Sequence, residues 1–288
     1  MRGGDGPRTG PRPTRKLLGG SRLPKIALLT AFAAATILPL LVTLNTSLKS
    51  HADWIRDPFS VAFPPSLDSL TDVWNRALLP GSVLNSLLIT SLGVVSLWVV
   101  CVPAAFAVTR LHFPGRDLAL LLLLAAVLVP LQTILQPLFA LANNIGLVDQ
   151  YYGLAIAYVA FGVPLTTFQL AAYFKYLPSE TLEAARIDGA STLSMIWHVV
   201  LPMSGPVLAT TGIINFVWIW NDLLLVVLLT SSPRHQTLTA TLALIPGQYG
   251  VSAPILAASA IVGILPIAAF YLIAQRHIVR GLTAGAVK

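Results

Sequence analysis

The sequence predicts an all-α, polytopic membrane protein with six transmembrane helices. Hydrophobic residues make up 56% of the 288 positions, charged residues only 10%, and the mean hydropathy is +0.78. A soluble domain of this length would carry about a quarter charged residues. Apolar runs of about 20 residues recur along the chain, which is the length that a helix needs to cross a bilayer. These observations exclude an ordinary soluble protein.

The predicted spans follow the apolar runs in order. They cover residues 26–44, 83–108, 118–141, 153–174, 204–229 and 254–274. We therefore expect one transmembrane domain over residues 25–275, with polar loops at 45–81 and 231–252.

Both ends of the chain differ in composition from this domain. Residues 1–24 are rich in Gly, Pro and Arg and predict a disordered basic tail, and residues 276–288 predict a second tail. A cleaved signal peptide is the competing interpretation of the first apolar run. That run continues to Leu44 without a polar break, which favours a span that stays in the membrane.

The distribution of basic residues predicts the orientation. With the N-terminus inside, fourteen of the 18 Lys and Arg residues lie on the inner side of the membrane. The outer side holds Lys49, Arg56, Arg76 and Arg234. The positive-inside rule then places both termini in the cytoplasm. Because topology accounts for the net charge of +7, a nucleic-acid partner is not predicted, and membrane lipid surrounds the spans.

Residues 175–203 form a polar segment that keeps helical character between two apolar runs. Ser179 is a candidate helix cap, and Glu180 and Glu183 lie in the first turn, where the helix dipole favours anions. Arg186 lies three residues after Glu183, so the two side chains can pair on one face.

A glycine divides this segment into two short helices. Gly189 suits the left-handed position that ends a helix. A second helix is predicted over residues 191–200, and Pro202 is expected to help end it. The simplest interpretation is an amphipathic loop helix on the membrane surface. The alternative is a compact knob held between membrane spans.

No catalytic or metal site is predicted. The chain contains no G-x-x-x-x-G-K-[ST] stretch to hold ATP phosphates. The five histidines and the single cysteine, Cys101, show no metal-ligand spacing. We expect a protein that is not an enzyme and carries no cofactor of its own.

The densest polar cluster inside a predicted span lies in the fifth. Asn215, Trp218 and Asp222 have helical i, i+3, i+7 spacing, and Asn221 is adjacent. An amide, an indole and a carboxylate on one face suit a sugar, and the same groups can instead hydrogen-bond neighbouring helices. For Asn221 and Asp222 both roles remain open. Weaker candidates, expected to make helix caps or helix–helix hydrogen bonds, are Gln132, Gln136, Thr166, Thr167 and Gln169.

The polar segment resembles the EAA loop of ABC-importer permeases. The matching residues are Glu183-Ala184-Ala185, then Gly189 after three intervening residues, then Val199-x-Leu201-Pro202 after nine more. Val199 stands where that family usually has isoleucine. From about Leu28 onward the chain also resembles the maltose-type carbohydrate permeases. Those further matches include Trp220-Asn221-Asp222, the stretch from Ala105 to Gly115, and the terminal stretch from Gln275 to Lys288.

The resemblance implies a type I ABC importer permease fold and the six-span second permease of a pair. It implies four kinds of partner: a second permease subunit, two cytoplasmic ATPase subunits that bind ATP and Mg, an extracytoplasmic solute-binding protein, and a sugar substrate. The loop at 231–252 would face the binding protein.

Two sets of residues would contact the ATPase subunits by this resemblance. The coupling set is Glu183, Ala184, Ala185, Arg186, Asp188, Gly189, Leu201 and Pro202. The C-terminal set is Gly281, Leu282, Thr283, Ala284 and Gly285.

The expected function is therefore the permease subunit of a binding-protein-dependent carbohydrate importer in a bacterial inner membrane. One alternative is an ABC permease for another solute, such as glycerol phosphate or an oligopeptide. A phosphate would require basic residues in the spans, and the sequence shows none there. A second alternative is a stand-alone proton-coupled transporter, which would want related halves and carboxylate relays.

Overall fold

The computed structural model describes residues 22–76, 79–249 and 252–284, and its regular structure there is entirely helical. Predictions for residues 1–21 and for Gly285 lie outside the described residues. Residues up to Thr43 form one unit and residues from Leu44 onward form another, and each is described by itself.

Helix α1, Arg22–Ser47, carries the first predicted span. The helices that follow are α2 (His51–Arg56), α3 (Asp68–Arg76), α4 (Leu79–Arg110), α5 (Arg116–Val127), α6 (Leu131–Asn144), α7 (Tyr151–Phe174), α8 (Ser179–Ile187), α9 (Thr192–Met195), a π-helical turn (Ile196–Val200), α10 (Leu201–Met203), α11 (Gly205–Asn221), α12 (Leu224–Leu229), α13 (Leu238–Tyr249) and α14 (Ala253–Ala284).

Four of the described helices are long and apolar enough to cross a membrane singly, within α1, α4, α7 and α14. Two bent pairs raise the number to six if each counts as one span. In the first pair, α5 and α6 meet at 101°. In the second, the helical stretch Thr192–Met203 meets α11 at 82°.

The third predicted span, residues 118–141, is not one straight helix. It is divided between α5 and α6, and Pro130 lies at the break with φ −69° and ψ 132°. Proline supplies no backbone N–H and disfavours helical geometry in the residue before it, which explains the interruption.

The fifth predicted span, residues 204–229, is also broken, so the prediction of one continuous helix was wrong. Helix α11 ends at Asn221, and Asp222 is extended, with ψ 132°. The Asp222 carboxylate then accepts a hydrogen bond of 3.1 Å from the N–H of Leu225, near the start of α12. An acceptor at a helix start stabilises the new helix, which offsets the lost continuity.

The sequence predicts that Pro202 helps to end the second short helix, but in the structure it does not. The helical stretch continues to Met203 because a π-turn precedes the proline. The Leu201 N–H donates to the Ile196 carbonyl, five residues back, in place of the usual four. This shifted pattern accommodates a residue that has no N–H of its own.

Segments predicted as loops or tails also contain helix. Helices α2 and α3 lie within the predicted loop 45–81, and α13 lies within 231–252. Helix α14 continues to Ala284, so the predicted boundary after residue 275 falls inside a helix. Residues 275–284 contain no proline, and their composition permits this extension.

The core of the second unit is built where α4 packs along α7. Leu97, Phe106 and Tyr158 are among its fully buried side chains. The two helices approach closely at Gly162, where an added Cβ atom would lie 2.7 Å from the Leu97 side chain. Small residues at such points allow helices in a membrane to pack backbone to backbone.

Candidate functional site

The segment from Ser179 to Met203 forms a knob of short helices at one end of α7; we call it the coupling knob. Helix α8 ends before Gly189, whose φ of +83° lies in the left-handed region that glycine adopts freely. Ser191 then caps α9, and its hydroxyl accepts a hydrogen bond of 3.3 Å from the Ser194 N–H. The left-handed glycine and the serine cap together produce the tight turn between the helices.

One face of the coupling knob packs on the core and the opposite face is bare. Leu182, Met195 and Val200 are buried, and Leu201 is half-buried against the same core. On the opposite face, Ile187 is 86% exposed and Leu193 is 61% exposed. The charged side chains near them are all exposed: Glu180, Glu183, Arg186 and Asp188.

Most of the predicted coupling residues lie at this open surface. Glu183, Ala184, Arg186, Asp188, Gly189 and Pro202 are exposed, whereas Ala185 and Leu201 are half-buried. Among the described side chains no ion pair joins Glu183 to Arg186, although their spacing would allow it. Ser179 does not cap α8 either, because it is the first residue inside the helix and Pro178 occupies the cap position.

Arg110, the last residue of α4, anchors the entry to the coupling knob. Its Nε and Nη2 atoms donate to the Phe174 carbonyl oxygen at 3.1 and 2.6 Å, and Nη2 also donates to the Leu177 carbonyl. Its Nη1 donates to the Ser179 hydroxyl at 3.2 Å. One guanidinium thus joins the ends of α4 and α7 to the first residue of α8.

A second contact anchors the exit. The Tyr173 hydroxyl, near the end of α7, donates a hydrogen bond of 3.1 Å to the Met203 carbonyl oxygen. The coupling knob is therefore held to α7 at both ends, and to α4 at its entry. A displacement of the knob would act directly on α4 and α7.

In the fifth-span cluster, Asn215 faces α7. Its Nδ2 atom donates to the Thr166 hydroxyl at 3.0 Å, and Asn215 is only 6% exposed. The helix–helix role expected for Thr166 is present here.

Asp222 does not share the helical face of Asn215 and Trp218, because α11 has already ended. The Tyr158 hydroxyl donates to Asp222 Oδ2 at 3.0 Å, and the Leu225 N–H donates to the same oxygen. Trp218 meets the Tyr158 ring edge to face at 5.6 Å between centroids. The cluster thus fixes α7 to the break between α11 and α12.

Asn221 is the most accessible of the four candidates. It is exposed, and its side-chain hydrogen bond is from Nδ2 to the Val217 carbonyl of its own helix, at 2.8 Å. Val217 and Ile214, also exposed, precede it at four and seven residues, so the three lie along one open face of α11.

At the opposite end of α7 from the coupling knob, Asp149 fixes the segment that follows α12. Its Oδ1 atom accepts hydrogen bonds from the Ser231 and Ser232 N–H groups, both at 3.1 Å, and from the Ser232 hydroxyl at 3.0 Å. Burial raises the pKa of the Asp149 carboxyl, but hydrogen bonds from Ser232, Ser231 and His235 outweigh it and lower the pKa to about 2. This carboxylate stays charged at neutral pH and holds the loop.

Sequence reasoning missed three residues of these sites. The sequence marks Arg110 as an inner basic residue within the Ala105–Gly115 resemblance, but its anchoring role depends on carbonyl groups distant in sequence. Tyr158 is a single aromatic residue in an apolar run, with no local signal for its Asp222 contact. Ile187 could have been found, because it is the only large apolar side chain between Glu183 and Gly189.

Of the predicted C-terminal set, Gly281 to Ala284 lie on the last turn of α14.

The fold defines a helical membrane protein with an exposed knob that is anchored at both ends. Residues 82–284 match the family described as binding-protein-dependent transport system inner membrane component. The trehalose transport system permease protein SugB of Mycobacterium tuberculosis is 34% identical over 261 residues, covering 90% of this chain and 95% of the relative. The sulfoquinovosyl glycerol transport system permease protein SmoH of Agrobacterium fabrum is 32% identical, covering 89% and 93%.

A solved structure shows the same fold. It is one chain of a bacterial ABC transporter involved in the import of the acidic polysaccharide alginate, with a TM-score of 0.75 and 22% identity. The match covers 88% of this chain and 95% of that one.

The chain belongs to the family of inner-membrane components of binding-protein-dependent transport systems. It is a multi-pass membrane protein and a transport subunit, not an enzyme, which confirms the predicted class. Membership implies a partner permease, an ATPase and a solute-binding protein.

Proposed function

We propose that this chain is one of two permease subunits of an ATP-driven carbohydrate importer, and that the coupling knob receives the motion of a cytoplasmic ATPase subunit. The observation that carries the proposal is the exposed face of the knob, with Ile187 86% exposed beside Glu183, Arg186 and Asp188. An exposed apolar residue surrounded by charged residues is typical of a protein-binding surface.

The anchoring of the knob supports a mechanical role. Arg110 and Tyr173 join its two ends to α4 and α7, the helices that form the core of the second unit. ATPase closure would push the knob, and the rigid core would carry that displacement to the membrane-spanning helices. In this proposal Gly281 to Gly285 form a second contact with the ATPase subunits.

A carbohydrate substrate is supported by the relatives, since SugB is named for trehalose transport. We place the pathway along the open face of α11, with Asn221 and Trp218 facing the partner permease. Asn215 and Asp222 instead hold α7 and α11 together, because Thr166 and Tyr158 already occupy their polar atoms. The amide oxygen of Asn221 remains available for a sugar hydroxyl.

Substitutions in the coupling knob test the proposal. Glu183→Ala and Gly189→Val should leave an inserted, assembled complex whose sugar uptake falls several-fold. Valine in the left-handed region costs roughly 1–2 kcal/mol, which would displace the knob surface. The measurements are uptake into proteoliposomes and ATP hydrolysis stimulated by the binding protein.

Matched variants separate coupling from folding. Gly189→Asn should keep activity because asparagine tolerates the left-handed conformation. Asp117→Ala, at an exposed carboxylate on α5 outside the coupling knob, is the control for Glu183→Ala. Wild-type uptake by both Glu183→Ala and Gly189→Val would contradict the coupling role.

We also propose that both termini and the coupling knob are cytoplasmic, on the strength of the basic-residue distribution. After replacement of Cys101, a cysteine at Ser231 should react from outside with an impermeant thiol reagent. A cysteine at Ser191 should react only after the membrane is permeabilised. Labelling of Ser191 in intact cells would reverse the orientation and remove the ATPase contact.

A further inference from the structure

A groove opens between α5 and α7 beside the coupling knob. Its mouth is a cavity of about 360 Å³, lined by Leu120, Leu124, Phe168, Ala172, Lys175 and Tyr176, among others. Lys175 caps the end of α7, and both it and Tyr176 are exposed. The mouth therefore combines apolar walls with a cation and a phenol at the level where the helices end.

The groove continues into wholly apolar surroundings. A second cavity, of about 470 Å³, shares Leu124 and Phe168 with the first and extends to Leu165 and Leu128. From Lys175 to Leu165 along α7 is ten residues, or about 15 Å at the helical rise. The groove is polar at the helix ends and apolar toward the middle of the span.

Positive charge gathers at the mouth. Among the described residues, the Lys175 ammonium has no hydrogen-bond or ion-pair partner. Arg116 is the first residue of α5. It lies four residues before Leu120, and therefore on the helix face that lines the groove. The Arg116 Nε atom is buried with no partner in the described chain. Both cations are thus available for an anion at the helix ends.

We propose that this groove binds one anionic phospholipid, with the phosphate beside Lys175 and Arg116 and an acyl chain along Phe168 toward Leu165. Basic pockets between membrane helices on the cytoplasmic side suit anionic headgroups. The apolar continuation is what a lipid requires and a free anion does not. The headgroup would lie four residues before Ser179, at the entry to the coupling knob.

The test uses the intact importer complex, purified in detergent and titrated with phosphatidylglycerol or phosphatidylcholine. Native mass spectrometry counts the lipids retained. We expect the wild-type complex to retain phosphatidylglycerol in preference to phosphatidylcholine. Lys175→Gln should weaken the phosphatidylglycerol retention about fivefold, the effect of one basic residue at an anionic surface. Ala172→Trp should fill the groove and reduce retention of both lipids.

Controls come from exposed positions away from the groove. Arg56→Gln removes a charge at the end of α2, and Leu87→Trp adds bulk on the exposed face of α4; both should bind as wild type. Lys175 is exposed, so its substitution leaves the fold intact. Equal retention of the two lipids by wild type, or unchanged retention in Lys175→Gln, would overturn the proposal. Competition by inorganic phosphate would also overturn it, in favour of a free-anion site.

Discussion

Replacing Arg110 by glutamine is expected to give an importer that assembles in the membrane and transports poorly. The substitution removes the guanidinium that joins the Phe174 and Leu177 carbonyls to Ser179. A hydrogen bond from a charged donor contributes about 1.5–3 kcal/mol. If the coupled state loses one such contribution, uptake falls about tenfold or more. Proteoliposome uptake and basal ATP hydrolysis, measured on the same preparation, separate the two activities.

Arg110→Lys is the informative comparison. Lysine keeps the charge but lacks the planar fork that reaches two carbonyls and a hydroxyl together. We expect intermediate uptake, with basal ATP hydrolysis retained. If Arg110→Gln instead reduces the amount of complex in the membrane to the same extent as uptake, then Arg110 contributes to folding alone and the anchoring role is wrong.

Asp222 is expected to separate helix packing from substrate binding. Asp222→Leu leaves the buried Tyr158 hydroxyl without its acceptor and the Leu225 N–H without its cap. An unmatched buried polar group costs about 1–3 kcal/mol, and a lost cap about 1 kcal/mol. Asp222→Leu should therefore lower the amount of assembled complex, measured by co-purification of the partner subunits.

Asp222→Asn retains an oxygen that can accept both hydrogen bonds. We expect near-normal assembly and uptake for this variant. Tyr158→Phe, which removes the donor, should show a smaller assembly defect than Asp222→Leu. The packing role would be refuted by an Asp222→Leu complex that assembles fully and fails only in uptake, since that is the behaviour of a substrate contact.

Composition and apolar periodicity were sufficient to predict the helical membrane class, because the demands of hydrocarbon on backbone and side chains leave few alternatives. The left-handed Gly189 was also predictable, since a single glycine between two helical patterns has a local physical reason. The break after Asn221 was not. No proline or glycine marks it, and Asp222, which caps the next helix, also accepts from the Tyr158 hydroxyl, 64 residues away in sequence.

Prediction of the fifth-span cluster from the sequence has the same limit. Helical spacing places Asn215, Trp218 and Asp222 on one face only in a continuous helix, and α11 ends at Asn221. Spacing also cannot tell which side of a helix meets a neighbour, so it could not separate the buried Asn215 from the exposed Asn221. Arg110 acts on backbone carbonyls, which are present at every position and carry no sequence signature.

The π-turn before Pro202 contains one residue more than an α-helix would need for the same hydrogen bonds. Residue count in this turn therefore sets which way the knob faces. One further residue, inserted between Ile196 and Val200 and continued as α-helix, would rotate everything on one side of the turn by about 100° relative to the other. Glu183 and Ile187 would then point away from their partner, with every side chain of the docking surface still present. In this stretch, the number of residues determines which surface meets the partner, as much as the identity of the residues does.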